Sequence, residues 1–181
     1  MKIVAFTGAG ISKSAGIPTF EEVPHLKDKL SVEYRSAFPD DFNNTLTKLK
    51  MSVAGKEPTK AHKILANLKI PIITMNIDGL HTKAGSNQVI EIHGNAEKDN
   101  IVLYGENIHN AQECVDFLFK TALEAKEQKD EAILLVIGTS MQTAFANSLV
   151  TLAYKLGFKI HEINQNADEE LSNFFVDLFD L

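Results

Sequence analysis

Six short apolar runs rich in β-branched residues punctuate the chain: Ile3 to Phe6, Ile70 to Thr74, Val89 to Ile92, Ile101 to Tyr104, Ile133 to Ile137 and Lys159 to Ile163. Continuous rather than alternating hydrophobicity marks strands covered on both faces, the condition of a parallel sheet. Between several of them lie stretches with helical spacing of apolar residues: Lys60 to Leu68, Ala111 to Gln128, Ala144 to Leu156 and Asp168 to Phe175. This alternation predicts an α/β fold, a doubly wound, mainly parallel six-stranded sheet whose ligands gather at the carboxyl ends of the strands. Residues 21–57 break the pattern with mixed polar and apolar positions and two prolines, and read as a small, mostly helical insertion over the ligand, its charges a solvated face. The fourth strand is the tightest fit. An extended chain from His93 to Val102 spans roughly 30 Å, whereas a parallel crossover usually takes about a dozen residues.

A length of 181 residues suits a single domain, 1–181, able to bury a substantial core. Eighteen basic residues against 24 acidic ones, a net charge of -6, supply no basic stripe, so no nucleic-acid partner is expected. Nor does any apolar run have the length of a membrane span. Strand residues and glycines follow Lys2 where a secretory leader would carry its apolar core, which predicts a cytoplasmic protein. Cys114 is the only cysteine, which excludes an intramolecular disulfide and a cysteine-based zinc site.

Candidate chemistry sits where predicted strands end. The first strand runs into Gly8, Ala9 and Gly10, a turn that suits either close approach to a phosphate or simply a tight passage into the helix predicted from Ile11 to Ala15. Gly16 and Pro18 stop that helix. Asn76 and Asp78 follow the second strand, where an amide and a carboxylate recognise a carboxamide or cap the next helix. His93 follows the third strand beside Gly94, a place for a general base or for a structural histidine. His62 and His81 read as structural, and Cys114 as a buried hydrophobe of the 111–128 helix.

Taken in order, these stretches resemble the sirtuins, the NAD-dependent protein deacylases. TGAGISKSAGIPTF is similar to the family's GAG-x-S-x-x-[SA]-G-I-P-x-F-R, through Gly8, Ala9, Gly10, Ser12, Gly16, Ile17, Pro18 and Phe20, with Glu21 in place of the arginine. PTKAHKILANL resembles P-x-x-A-H-x-x-L; TMNIDGLHTKAG resembles TQNIDxLHxxAG through Asn76, Ile77 and Asp78, with Met75 in place of the glutamine. VIEIHGN resembles the E-L-H-G motif through His93, IVLYGEN the V-x-F-G-E motif through Tyr104, Gly105 and Glu106, and Gly138, Thr139 and Ser140 the G-T-S motif. Asn164 closes an I-N motif. The resemblance covers Ile3 to Asn164.

The resemblance implies a Rossmann-like, sirtuin/DHS-like NAD-binding fold and the removal of acyl groups from protein lysine, with release of nicotinamide and O-acyl-ADP-ribose. NAD would be held by Gly8, Ala9, Gly10, Ser12, Ile17, Pro18, Phe20, Asn76, Ile77, Asp78, His93, Gly138, Thr139, Ser140 and Asn164, with the diphosphate over Gly8 to Gly10 and the adenosine ribose near Ser140 and Asn164. His93, Asn76 and Asp78 would be catalytic, His93 as general base for a ribose hydroxyl, and Phe20 would shield the intermediate from water. Tyr104, Gly105 and Glu106 would line the acyl-lysine peptide site, with ordinary core packing equally open for Tyr104. Residues 95–99 stand where the family inserts a zinc ribbon, so the chain is read as a minimal form with no zinc. An NAD hydrolase or ADP-ribosyltransferase is the alternative, because a shortened cleft wall, Glu21 and Met75 all alter the nicotinamide side. A module that only binds NAD or ADP-ribose is the third. The adjacent Tyr34 and Arg35 do not match the Tyr-x-x-Arg spacing of acid-acyl-selective sirtuins.

Overall fold

Strand β1 (Lys2–Thr7) lies near the middle of a five-stranded sheet with β2 (Ile72–Thr74), β3 (Val89–Glu91), β4 (Ala132–Ile137) and β5 (Lys159–Ile163). The computed structural model describes residues 1–19 and 22–179; Phe20 and Glu21, named above, lie outside the described residues. The strand order is β3-β2-β1-β4-β5, and every pairing is parallel. From β1 the chain therefore winds one way through β2 and β3 and then returns to the other side of β1, which places the topological switch between β1 and β4.

Successive strand residues face opposite layers. Val4, Phe6, Leu134 and Val136 pack with Cys114 and Leu118 of α6 (Ala111–Gln128) and Leu149 and Ala153 of α7 (Ala144–Lys155). Ala5, Ile133, Leu135 and Ile137 pack instead with Ala61 and Leu65 of α4 (Lys60–Asn67) and Leu171 and Phe175 of α8 (Ala167–Phe179). Phe174 and Leu178 are only partly buried against this layer, and Phe179 is exposed. Between β1 and α4 come α1 (Pro24–Lys29), α2 (Val32–Ala37) and α3 (Pro39–Val53), the helices expected of the 21–57 stretch; α5 (Leu80–Lys83) is a single turn after β2.

The expected sixth strand at 101–104 does not form. Among the described residues its only ladder contact is a parallel bridge between Ser31 and Tyr104. The loop after β3 is too short to cross over: Asn95 N–H donates to Asn100 Oδ1 at 2.8 Å and Val102 N–H to His93 O at 2.9 Å, so the chain doubles back at once. Residues 101–104 are left against the insertion, where Tyr104 N–H donates to Leu30 O at 2.9 Å and Val32 N–H to Tyr104 O at 3.0 Å. Segment 9–15 also departs from an α-helix, forming a 3-10 helix (Ala9–Ala15) closed by a left-handed Gly16.

At the switch the backbones of two turns touch. Gly8 N–H donates to Ile137 O and Gly10 N–H to Gly138 O, both at 2.9 Å. A methyl group on Gly10 would come within 2.5 Å of Gly138 Cα, and one on Gly138, whose φ is +60°, within 2.4 Å of Ile11 N. Gly157 also has a positive φ, yet nothing lies near its missing Cβ. Gly138→Ala therefore combines left-handed strain with overpacking, each worth about 1–2 kcal/mol or more, whereas Gly157→Ala carries the strain alone. Urea unfolding is expected to show Gly138→Ala losing at least about 2 kcal/mol and clearly more than Gly157→Ala; equal losses would contradict the contact.

Candidate active site

A cavity of about 720 Å³ opens at the carboxyl edge of the sheet, lined among others by Ala9, Ile17, Pro18, Asn76, Asp78 and His93. Three segments converge on it because the strand ladder continues past the strands: Met75 N–H donates to Thr7 O and Ile92 N–H to Thr74 O, both at 2.9 Å. Each chain leaves the sheet at nearly the same level. Residues 75–78 and 92–93 are thereby brought beside the 3-10 helix that follows β1.

Behind the cavity wall lies a buried polar network. Ser12 Oγ donates to Asp78 Oδ2 at 2.7 Å and accepts from Asn76 Nδ2 at 3.2 Å, while Asp78 Oδ1 accepts from Leu80 N–H at 3.0 Å. Asp78 thus holds the first amide of α5, whose N-cap is Gly79, and it lines the cavity as well. The Thr7 hydroxyl donates to Thr74 Oγ1 at 2.8 Å and lies 2.9 Å from His81 Nε2; Thr74 Oγ1 also accepts from Asn76 N–H at 3.1 Å. Thr7 Oγ1 thus joins Thr74 to His81. Pattern reading missed Thr7 and Thr74. The available signal is that these two register partners each end a strand on threonine.

His93 is half-buried, and burial lowers its pKa from the ordinary histidine value, which keeps the ring neutral and able to accept a proton. Behind it, Glu91 accepts from Asn95 Nδ2 at 2.6 Å and from Lys98 Nζ at 2.8 Å, and Ala96 N–H donates to Ile77 O at 2.8 Å. The loop carrying His93 is thus tied to the loop carrying Asn76 and Asp78. Met75 also faces the cavity and receives a 3.7 Å contact from Thr143 Oγ1.

Gly138, Thr139, Ser140 and Asn164 gather at the ends of β4 and β5, where Thr139 N–H donates to Asn164 Oδ1 at 3.2 Å, but they do not line the cavity holding His93. Tyr104, Gly105 and Glu106 do line it. Glu106 is engaged on both oxygens, accepting from Leu103 N–H at 3.0 Å and pairing with Arg35 at 3.3 Å. Burial raises the Tyr104 pKa.

A doubly wound sheet with a glycine turn at its switch point and an Asn, Asp and His around one cavity defines an α/β nucleotide-binding protein. The Sir2 family model matches residues 8–100. The NAD-dependent protein deacetylase of Thermodesulfovibrio yellowstonii is 32% identical over 90% of this chain and 78% of its own length, and that of Sulfolobus acidocaldarius 30% identical over 85% and 75%. A solved structure of Sir2 with a p53 peptide and NAD+ superimposes with a TM-score of 0.81 at 23% identity, over 99% of this chain and 93% of that one, a likeness of fold. The chain belongs to the Sir2 family.

The cysteine pairs of a zinc ribbon have no counterpart in this sequence, and the residues present do not fit that metal. Cys114 is buried in α6 with its thiol pushed up to about 12, chiefly by burial. Among the described residues no group of three or more His, Cys, Asp and Glu is placed to hold an ion.

His62 supplies a pH test. Its ring lies 4.5 Å from that of His81 and its pKa is lowered to about 4, chiefly by burial, with Asp78 and Asp168 opposing the shift. An unfolded histidine titrates near 6.5. Between about 4 and 6.5 the unfolded chain therefore binds a proton that the folded chain does not, so stability rises with pH across this window and falls as pH drops through it. The melting temperature is expected to decline from pH 7 to pH 5, and less steeply in His62→Gln. An identical slope in the two proteins would contradict the buried neutral pair.

Proposed function

We propose that this chain is an NAD-dependent protein-lysine deacylase in which His93, Asn76 and Asp78 form the reaction centre. The observation that supports this most is the meeting of these three side chains in one cavity at the switch edge of a Sir2-family fold. In the same proposal, residues 1–181 are one NAD-binding domain with 21–57 as an insertion over the cleft. The diphosphate lies over Gly8, Ala9 and Gly10, and the adenosine ribose near Gly138, Thr139, Ser140 and Asn164. Ser12, Ile17, Pro18, Phe20 and Ile77 complete the cofactor contacts. A lone buried cysteine needs no oxidising compartment, and we place the protein in the cytoplasm. Among the described residues no helix is long and apolar enough to cross a membrane.

The donor set fits the cofactor. Asn76 spends one amide hydrogen bond on Ser12 and faces the cavity, so its amide is suited to the nicotinamide carboxamide, with the Asp78 carboxylate beside it. NAD, when bound, supplies a sugar carbon that becomes electrophilic as its bond to nicotinamide weakens. His93, neutral through burial, accepts the proton of a ribose hydroxyl at its ring nitrogen and so makes that oxygen the acceptor of the acyl group. Tyr104, Gly105 and Glu106 flank the acyl-lysine.

Mass spectrometry of NAD products with and without an acyl-lysine peptide tests the reading. The expected result is peptide-dependent release of nicotinamide together with O-acyl-ADP-ribose, and a loss on the order of a hundredfold to ten-thousandfold in His93→Ala. Release of ADP-ribose at the same rate without peptide would assign the chain to NAD hydrolysis instead. Full activity of His93→Ala would remove His93 from the centre.

A further inference from the structure

The insertion carries charges of both signs and sorts them. Lys27, Lys29 and Lys48 line the cavity, whereas none of the insertion's described acidic residues, Glu22, Asp28, Glu33, Asp40, Asp41 and Glu57, does. A face that is only solvated carries both signs interspersed. Lys27 and Lys48 are exposed, so they stand at the mouth of the cavity rather than in its depth. Lys27 Nζ rests 5.5 Å from the centroid of the Tyr104 ring, which puts this cation beside the segment proposed to flank the acyl-lysine. Lys48 lines the cavity together with Thr45, Leu49 and Ser52, the spacing of one face of α3.

Two of the three lysines are left for a ligand. Lys29 is spent on Asp41 at 2.7 Å, and Asp41 also accepts from the Tyr34 hydroxyl at 2.7 Å. Lys48 acts on the same carboxylate only from beyond ion-pair distance, and among the described residues neither Lys48 nor Lys27 has an ion-pair partner. The carboxylates that line the cavity are engaged as well. Asp78 accepts from Ser12 and Leu80, and Glu106 from Leu103 N–H while pairing with Arg35. Glu33 lies beside Gly105 without lining the cavity. The mouth therefore presents two unneutralised cations in a chain of net charge -6.

We propose that the substrate is an acyl-lysine flanked by acidic residues, whose carboxylates pair with Lys27 and Lys48 at the cavity mouth. The proposal rests on the deacylase reading and names the peptide class for that same site. A net charge of -6 repels an acidic peptide at long range, so a preference for acidic flanks has to come from local cations and not from the protein's overall field. With a Debye length of about 10 Å at about 0.1 M salt, the local pair dominates at contact. Each exposed ion pair is worth up to about fivefold in affinity, gained mainly as faster association and lost as salt is raised.

The test uses three labelled peptides with one central acetyl-lysine, flanked by Glu, by Gln or by Lys, and reads binding by fluorescence anisotropy at about 20 mM and about 500 mM salt. The Glu-flanked peptide is expected to bind tightest and the Lys-flanked one weakest, with at least about a threefold step from Glu to Gln at low salt that shrinks below about twofold at high salt. The double variant Lys27→Glu with Lys48→Glu is expected to reverse the order. A control, Lys120→Glu with Lys155→Glu, makes the same change of net charge at exposed positions of α6 and α7 and is expected to keep it. Equal affinities, a salt-independent order, tightest binding of the Lys-flanked peptide or no binding of any peptide overturns the proposal. So does an order that survives in the cavity-mouth variant or is lost in the control. A loss in the cavity-mouth variant that falls on NAD affinity alone assigns the lysines to the diphosphate and overturns it too. Mass spectrometry of the products keeps the two levels apart: acidic preference in binding, with no O-acyl-ADP-ribose from any peptide, leaves the acidic-peptide site standing and removes the deacylase reading.

Discussion

The backbone contact between Gly10 and Gly138 is the constraint on which the site depends. At a switch point the turns after two adjacent parallel strands diverge and leave a crevice; here they first touch, through Gly10 N–H on Gly138 O, with no space for a side chain on either glycine. The smallness of Gly10 is consumed by this contact. A sequence reading assigns it to clearance for a phosphate, while the structure gives it a packing reason that holds with or without ligand. The contact fixes the 3-10 helix over the sheet edge and thereby Ser12, the residue that joins Asn76 to Asp78.

From Ser12 the consequences run through polar groups that have left water. Asp78, Asn76, Thr7, Thr74 and His81 are all under a tenth exposed, and a buried polar group without a partner costs about 1–3 kcal/mol. Their mutual hydrogen bonds remove most of that cost and allow few alternative arrangements. Among the described residues, His62 Nε2 and His81 Nδ1 remain without a partner, on rings whose centroids lie 4.5 Å apart. Burial keeps those rings neutral, which prevents a positive charge from developing behind Asn76 and Asp78.

Five of the six strands and the four long helices flanking the sheet were legible because each follows from local periodicity. The short motifs carrying Asn76, Asp78 and His93 were legible as well, because each sits directly after a strand. What the chain concealed is contact between distant segments. Residues 101–104 have the composition of a strand, yet the tight turn fixed by Asn95 and Asn100 denies them a place in the sheet. The apolar end of the cavity is built from Leu26, Leu30 and Leu49, which read singly as ordinary helix-face residues and acquire a role only opposite Ile101 and Leu103. No spacing rule joins positions more than fifty residues apart.

The loop 91–100 shows how a chain lacking the cysteine pairs of a zinc ribbon holds His93. Glu91, Asn95, Lys98 and Asn100 close it by hydrogen bonds, Lys50 pairs with Asp99 from α3, and Ala96 ties it to Ile77. The central claim is that these contacts alone assemble the site. Elemental analysis of the active protein, with the melting temperature recorded before and after chelation, tests it most directly. The account predicts zinc far below one atom per chain and a melting temperature unmoved by chelator; one tightly held zinc per chain, with unfolding on its removal, would contradict it.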